Sequence, residues 1–195
     1  MLEQLNNLRV KMVFGVIGAL LFCYWANGAW VKKVHYLERK IHMAFGQYRA
    51  TLDLRAQVLP QLIELLKNYA PQERALTQEL TQHYEEVVNY QRPEQILSDP
   101  KLALRYVELQ KALIESVSKT HKVAQKYPGL AHNRQYFLII NQWHEINKSV
   151  SGKEELLNGY IKRYNSYLNG FPQGFYNRIS YQFALKIPSQ LPEAT

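Results

Sequence analysis

From Val34 onward, apolar residues return every third or fourth position: Val34, Leu37, Ile41, Phe45, Tyr48, Leu52, then Leu59, Leu62, Leu66 and Tyr69. That spacing lays one face along an α-helix and sustains it, coiled-coil fashion, for about five heptads. The stretch RAQVLPQLIELLK, residues 55–67, interrupts it twice. Arg55 takes a seam position, and Pro60 falls in mid-pattern. A proline inside a helix has no N–H for the carbonyl four residues back, here Ala56, and costs about 3 kcal/mol. The pattern on both sides nevertheless predicts one long helix, bent at Pro60.

Three more helices follow from the same periodicity. Pro71 suits the first turn of the second, with Glu73 nearby and a stripe of Leu76, Leu80, Tyr84 and Val87. Ser98-Asp99-Pro100 reads as an N-cap followed by proline at the first helical position of the third. Its stripe is Leu102, Tyr106, Leu109, Leu113, Val117, Ala124 and Tyr127, and Pro128-Gly129 ends it. Asn133 can cap the fourth, which runs through Tyr136, Ile140, Trp143, Asn147, Val150, Glu154, Leu157, Ile161, Tyr164 and Leu168. Asn169-Gly170-Phe171-Pro172 stops it, with a glycine able to take the left-handed conformation. No useful strand-like alternation occurs. The expected fold is all-α, an antiparallel up-down-up-down four-helix bundle over residues 32–172. Residues 173–195 form an aromatic tail with Arg178 and Lys186, expected to touch headgroups, cover the membrane-proximal end or pack strand-like on the bundle.

Ahead of the bundle, after a short segment 1–11, residues 12–31 (MVFGVIGALLFCYWANGAWV) hold Asn27 as their only strongly polar side chain. A helix of that length spans about 30 Å, the hydrocarbon thickness of a bilayer. Trp25 and Trp30 fit an aromatic belt at its C-terminal end, closed by Lys32 and Lys33. An uncleaved single-pass anchor is therefore expected, with the bilayer as the partner of residues 12–31. A cleaved signal peptide at Ala26 and Gly28 is disfavoured by the bulk of Trp25 and Trp30. A lipoprotein signal at Cys23 is disfavoured by Phe22. Flanking charge favours a cytoplasmic bundle, because Lys32, Lys33, Arg39 and Lys40 outnumber Arg9 and Lys11.

Charge sharpens the picture. The chain of 195 residues carries a formal +8. Residues 1–40 contribute six basic and two acidic side chains, a net +4, and the much longer remainder contributes 18 and 14, also +4. The excess lies beside the apolar segment, where a membrane surface explains it better than a nucleic acid does. The lone cysteine excludes an intramolecular disulfide.

Candidate chemistry is sparse. Trp143-His144-Glu145 opens like a zinc-protease helix, but Lys148 stands where the second histidine is needed. His35 and His42 share a face without further ligands at suitable spacing. There is no phosphate-binding glycine loop and no nucleophile elbow. No metal, cofactor or catalytic residue is expected. The polar seam positions carry more information. Equal descents along antiparallel helices bring Arg55 level with Asn147 and Ser151 on the fourth, with Glu85 or Glu86 on the second, and with Glu108 or Glu115 on the third. A mid-bundle polar layer is predicted, with Arg55 hydrogen-bonded to one of these, either pinning helix register or forming a ligand or partner site.

In three blocks the chain resembles the LemA family. The first is RAQVLPQLIELLKNYAPQE, where Pro60, Leu62, Lys67, Tyr69, Ala70 and Glu73 fit the pattern. The second is Tyr127-Pro128-x-Leu130-x-x-Asn133-x-x-Tyr136. The third pairs Tyr164-Asn165 with Phe171-Pro172. Asn147 stands where that family commonly has an acidic residue, Lys153-Glu154 where it has Ala-Arg, and Leu157-Asn158 where it has Tyr-Asn, marking a divergent member. The resemblance implies a bacterial inner-membrane protein with one N-terminal span, a small external N-terminus and a cytoplasmic helical bundle. It carries over no catalytic residues. The expected function is non-enzymatic scaffolding or regulation of another membrane or envelope protein, compatible with homo-oligomers. The alternative is a sensor-like bundle binding a small ligand between its helices. A hydrolase and a nucleic-acid binder rank below both.

Overall fold

The computed structural model describes residues 2–90 and 95–170, with side chains described from residue 12 onward except at 19–24, 26, 27 and 100. Among the described residues all regular structure is helical. Helix α1 spans Leu2–Tyr69, α2 Arg74–Asn89, α3 Pro100–Lys126, α4 Pro128–Ala131 and α5 Arg134–Asn169, with a 3-10 turn at Gln95–Leu97 before α3.

The local chemistry that sets these boundaries is mostly that expected. Asp99 caps α3, its side chain accepting from the backbone N–H of Lys101 at 2.9 Å and of Leu102 at 3.4 Å. Asn133 caps α5 in the same way, accepting from Gln135 at 2.8 Å and Tyr136 at 3.1 Å. Each satisfies donors that a helix start leaves without intrahelical partners. Three details differ. Pro71 lies in the turn before α2, which begins at Arg74 behind an N-cap, Glu73, that makes no side-chain cap. The connection after Pro128 is itself one helical turn, α4. Gly170 closes α5 at φ −67° and ψ 148°, an extended conformation, so the left-handed glycine expected there is not used.

Helices α1 and α5 form the longest contact of the fold, and α2 packs on both α1 and α3. The core divides into two apolar clusters along the α1 axis. The distal one gathers Val58, Leu59, Leu62, Ile63, Leu65 and Leu66 of α1 with Leu76 and Leu80 of α2, Leu113 and Val117 of α3, Leu130 of α4, and Tyr136, Ile139 and Trp143 of α5. The other joins α1 from Trp30 to Leu52 with α5 from Val150 to Leu168, plus Leu97. Four helices therefore surround the core only towards the Tyr69 end. The reason is length: α2 has 16 residues and α3 27, whereas α5 has 36.

Pro60 lies inside α1 on its exposed side, and the helix is continuous through it. Trp30, expected in the membrane belt, is only 5% exposed and belongs to the core with Val34 and Leu37. Trp25, by contrast, is 70% exposed, and Lys32 and Lys33 are exposed. Among the described residues no helix is long and apolar enough to cross a membrane. The side chains at 19–24, 26 and 27, much of the expected span, lie outside those residues, as do Phe171, Pro172 and the tail 173–195.

Candidate functional site

Arg55 is buried between the two apolar clusters, at 2% exposure. Its Nη1 donates to Asn147 Oδ1 on α5 at 3.2 Å, and its Nη2 donates to Gln110 Oε1 on α3. The guanidinium carbon stands 5.5 Å from the ring centroid of Trp143, one turn before Asn147, so a cation–π contact completes the setting. Three helices thus meet at one polar layer, with apolar core ending at Leu52 and Val150 on one side and resuming at Val58 and Trp143 on the other.

A polar layer is present at mid-bundle, and Asn147 is one of the six partners that the register count offered. The rest of its composition differs. The partners that hydrogen-bond Arg55 are both amides, Asn147 and Gln110; Glu85 and Glu108 are exposed, and Ser151 bonds back to the Asn147 carbonyl at 3.2 Å. Burial pulls the Arg55 pKa below its ordinary value, against the electrostatic pull of Tyr106, Tyr48 and Glu154. Tyr106 is affected conversely: burial drives its phenol well above 10.0, against the field of Arg55. The layer is rich in donors. Both amide oxygens are spent on the guanidinium; the Gln110 amide group also neighbours the Tyr106 hydroxyl, and Asn147 Nδ2 finds no partner among the described residues. Gln110 escaped the sequence reading although its signal was present, since it fills a place between Tyr106 and Leu113 on the apolar stripe of α3 as Arg55 does on α1.

A second polar contact joins α2 to α3. The fully buried Ser116 hydroxyl lies 2.6 Å from His83 Nδ1, 3.2 Å from Glu79 Oε1 and 2.9 Å from the Ala112 carbonyl. Lys119 Nζ approaches Glu79 Oε1 at 2.6 Å, and this bond is the main cause of the lowered Glu79 pKa. The residue types are those of nucleophilic catalysis, but the glutamate bonds the serine rather than orienting the histidine, and the hydroxyl is out of reach of substrate. The group fastens two helices.

The other sequence candidates scatter. Tyr164 is fully buried towards the Trp30 end of the core, its hydroxyl donating to Glu38 Oε1 at 3.0 Å; burial, then the Glu38 charge, raise its pKa above 10.0. Asn165 beside it is half-buried. Tyr69 is exposed at the opposite end of α1, its ring against Gly129 of α4. His144 and Lys148 are exposed, and no group of three potential metal ligands exists among the described residues.

Helices packed around a buried guanidinium–amide layer place the protein in the class of all-α helical bundles. The particular family follows from the sequence: the model of the LemA family matches residues 44–186, most of the chain, and the protein belongs to that family. No curated protein matches it.

Proposed function

We propose that this LemA-family protein is a non-enzymatic, single-pass protein of the bacterial inner membrane whose bundle scaffolds or regulates another envelope protein. The observation that carries the anchoring is the exposed apolar face at the start of α1. Met12, Val13, Phe14, Val16 and Ile17 are between 48% and 70% exposed, within a 20-residue sequence almost free of polar side chains. Leaving such a surface in water is unfavourable by about 25 cal/mol per Å², and a bilayer removes that penalty. Because α1 is continuous from this segment into the core, the bundle would stand directly on its anchor. The basic residues after the span favour the cytoplasmic side.

Limited proteolysis of spheroplasts and of opened cells tests this reading. The bundle should stay intact when protease acts only from outside and be digested once the membrane is opened. Digestion in intact spheroplasts would overturn the cytoplasmic placement, and recovery of the full chain in the soluble fraction would overturn the anchor. Scaffolding predicts that one membrane protein co-purifies reproducibly from solubilised membranes and is lost when the bundle surface is altered.

A further inference from the structure

Charge is not spread evenly along the bundle axis. Residues 43–158, which build most of it, carry 14 basic and 13 acidic side chains. Two shorter stretches, 32–42 of α1 and 159–170 of α5, carry six basic side chains and one acidic. The fold brings these stretches to one height. The Tyr164 hydroxyl donates to Glu38 Oε1 at 3.0 Å, and further along the same helix pair Lys153 Nζ donates to Gln47 Oε1 at 3.1 Å. The helices are antiparallel, so Lys162 and Arg163 of α5 stand level with Lys40 and Arg39 of α1. The one carboxylate among them, Glu38, is taken up by Tyr164 and by His35 Nδ1 at 3.2 Å. None of the six cations, Lys32, Lys33, Arg39, Lys40, Lys162 and Arg163, is ion-paired among the described residues. Lys33 and Lys40 flank Tyr36, their ammonium groups 5.2 and 5.6 Å from its ring centroid. On α5, the exposed Lys162 and Arg163 line a shallow hollow with Gly159, Ser166 and Tyr167.

We infer that this end of the bundle binds anionic phospholipid headgroups through a basic collar on α1 and α5. The inference rests on the anchored reading and adds lipid charge to the span as a second hold on the membrane. At 1.5 Å per residue, Arg39 and Lys40 lie about 12 Å beyond the end of the span at Val31, and Lys162 and Arg163 share that height. The headgroup layer takes up roughly half of this distance. The rest is within the Debye length, about 8 Å at physiological salt, and long basic side chains shorten it further. Lys32 and Arg39 lie about 100° around α1 from Lys33 and Lys40. A membrane is a plane across the helix axes, so it engages cations at one height on every side of both helices. The rest of the bundle, nearly balanced in charge, offers no rival surface.

The full chain, reconstituted by detergent removal into phosphatidylcholine vesicles holding brominated phosphatidylglycerol or brominated phosphatidylcholine, tests it. Trp25, exposed near the end of the span, is quenched by whichever lipid sits against the protein. At about 0.05 M salt phosphatidylglycerol should be preferred about fivefold, the worth of one cation at an anionic surface. The preference should fall towards unity at about 1 M salt. Lys162→Gln with Arg163→Gln should at least halve it at unchanged helicity. Lys122→Gln with Lys126→Gln, both exposed towards the far end, should leave it unchanged. Equal quenching by the two lipids overturns the collar, while flotation of the chain with neutral vesicles keeps the anchor. A chain that neutral vesicles fail to float ends the anchored reading; the collar then stands only if anionic vesicles float it and about 1 M salt releases it. A preference that survives loss of Lys162 and Arg163 assigns that pair to a partner other than lipid and overturns the proposal, as does an equal fall in the distal control.

Discussion

Replacing Arg55 with alanine, and then replacing its whole layer with apolar residues, should give opposite results. The guanidinium makes two hydrogen bonds, each worth about 1.5–3 kcal/mol for a charged donor, and a ring contact worth about 0.5–2 kcal/mol. Against these stands the cost of burying a cation with no carboxylate hydrogen-bonded to it, several kcal/mol. The net contribution is therefore close to zero. Arg55→Ala nevertheless strands the oxygens of Gln110 and Asn147, at about 1–3 kcal/mol each, and opens a cavity, for a loss of about 3–5 kcal/mol. The triple variant Arg55→Met, Gln110→Met, Asn147→Leu strands nothing and buries no charge. It should unfold no more easily than the wild type, and is expected to gain up to about 4 kcal/mol. Urea unfolding of the full chain in detergent, followed by circular dichroism, measures both. If the triple variant is as destabilised as Arg55→Ala, the layer is a net source of stability and the reasoning fails.

Three further outcomes follow from the same geometry. Asn147→Asp puts a carboxylate at the end of the 3.2 Å contact with an already buried cation, and should stabilise the bundle by about 1–2 kcal/mol at neutral pH. Because that carboxyl's folded pKa would be depressed, the gain should vanish as pH falls through it; urea midpoints against pH would expose an error if the gain is flat. Asp99→Ala and Asn133→Ala should each cost about 1 kcal/mol in thermal or urea unfolding through lost caps, whereas an exposed site such as Gln142→Ala should change little. Tyr106 and Tyr164 have phenol pKa values raised above 10.0, so their contribution is intact below pH 10 and declines as pH rises towards the folded values, by up to about 1.4 kcal/mol per pH unit each. Phenolate absorbance should show two tyrosines ionising only with unfolding, and Tyr164→Phe should flatten the alkaline loss; an unchanged slope would count against the buried-phenol account.

What was legible in the sequence divides along physical lines. Helix periodicity and the Asp99 and Asn133 caps depend on residues within a few positions of one another, and both were readable. Asn147 was legible as one possible partner of Arg55 because antiparallel helices convert equal descents from a shared end into equal heights. The same count gave about the right height on α2 and α3 but not the residues that face inward. At this level α2 presents Tyr84 and Val87 towards α1, and Glu85 between them is exposed. On α3 the count offered Glu108 or Glu115 among the possible partners. At this level the α3 position that faces the core is Gln110, and those glutamates lie on the outer side of the same helix.

That substitution of amides for a carboxylate gives the layer its character. An arginine paired with a carboxylate would be satisfied internally. Two amides hold the guanidinium in place through their oxygens, and Glu154, a carboxylate that acts on its charge, does so through the field and not as one of the two hydrogen-bond acceptors. The separation of the core into two apolar clusters places this charge where α1, α3 and α5 must agree in height, so one-residue slippage of any of them would break a buried contact. The same arginine therefore fixes three helices at one height. Gln110→Glu supplies a carboxylate at the same place without changing side-chain length, and should keep or strengthen the fold, read as an unchanged or raised urea midpoint; a lowered midpoint would show that the amide, not the charge, suits this position.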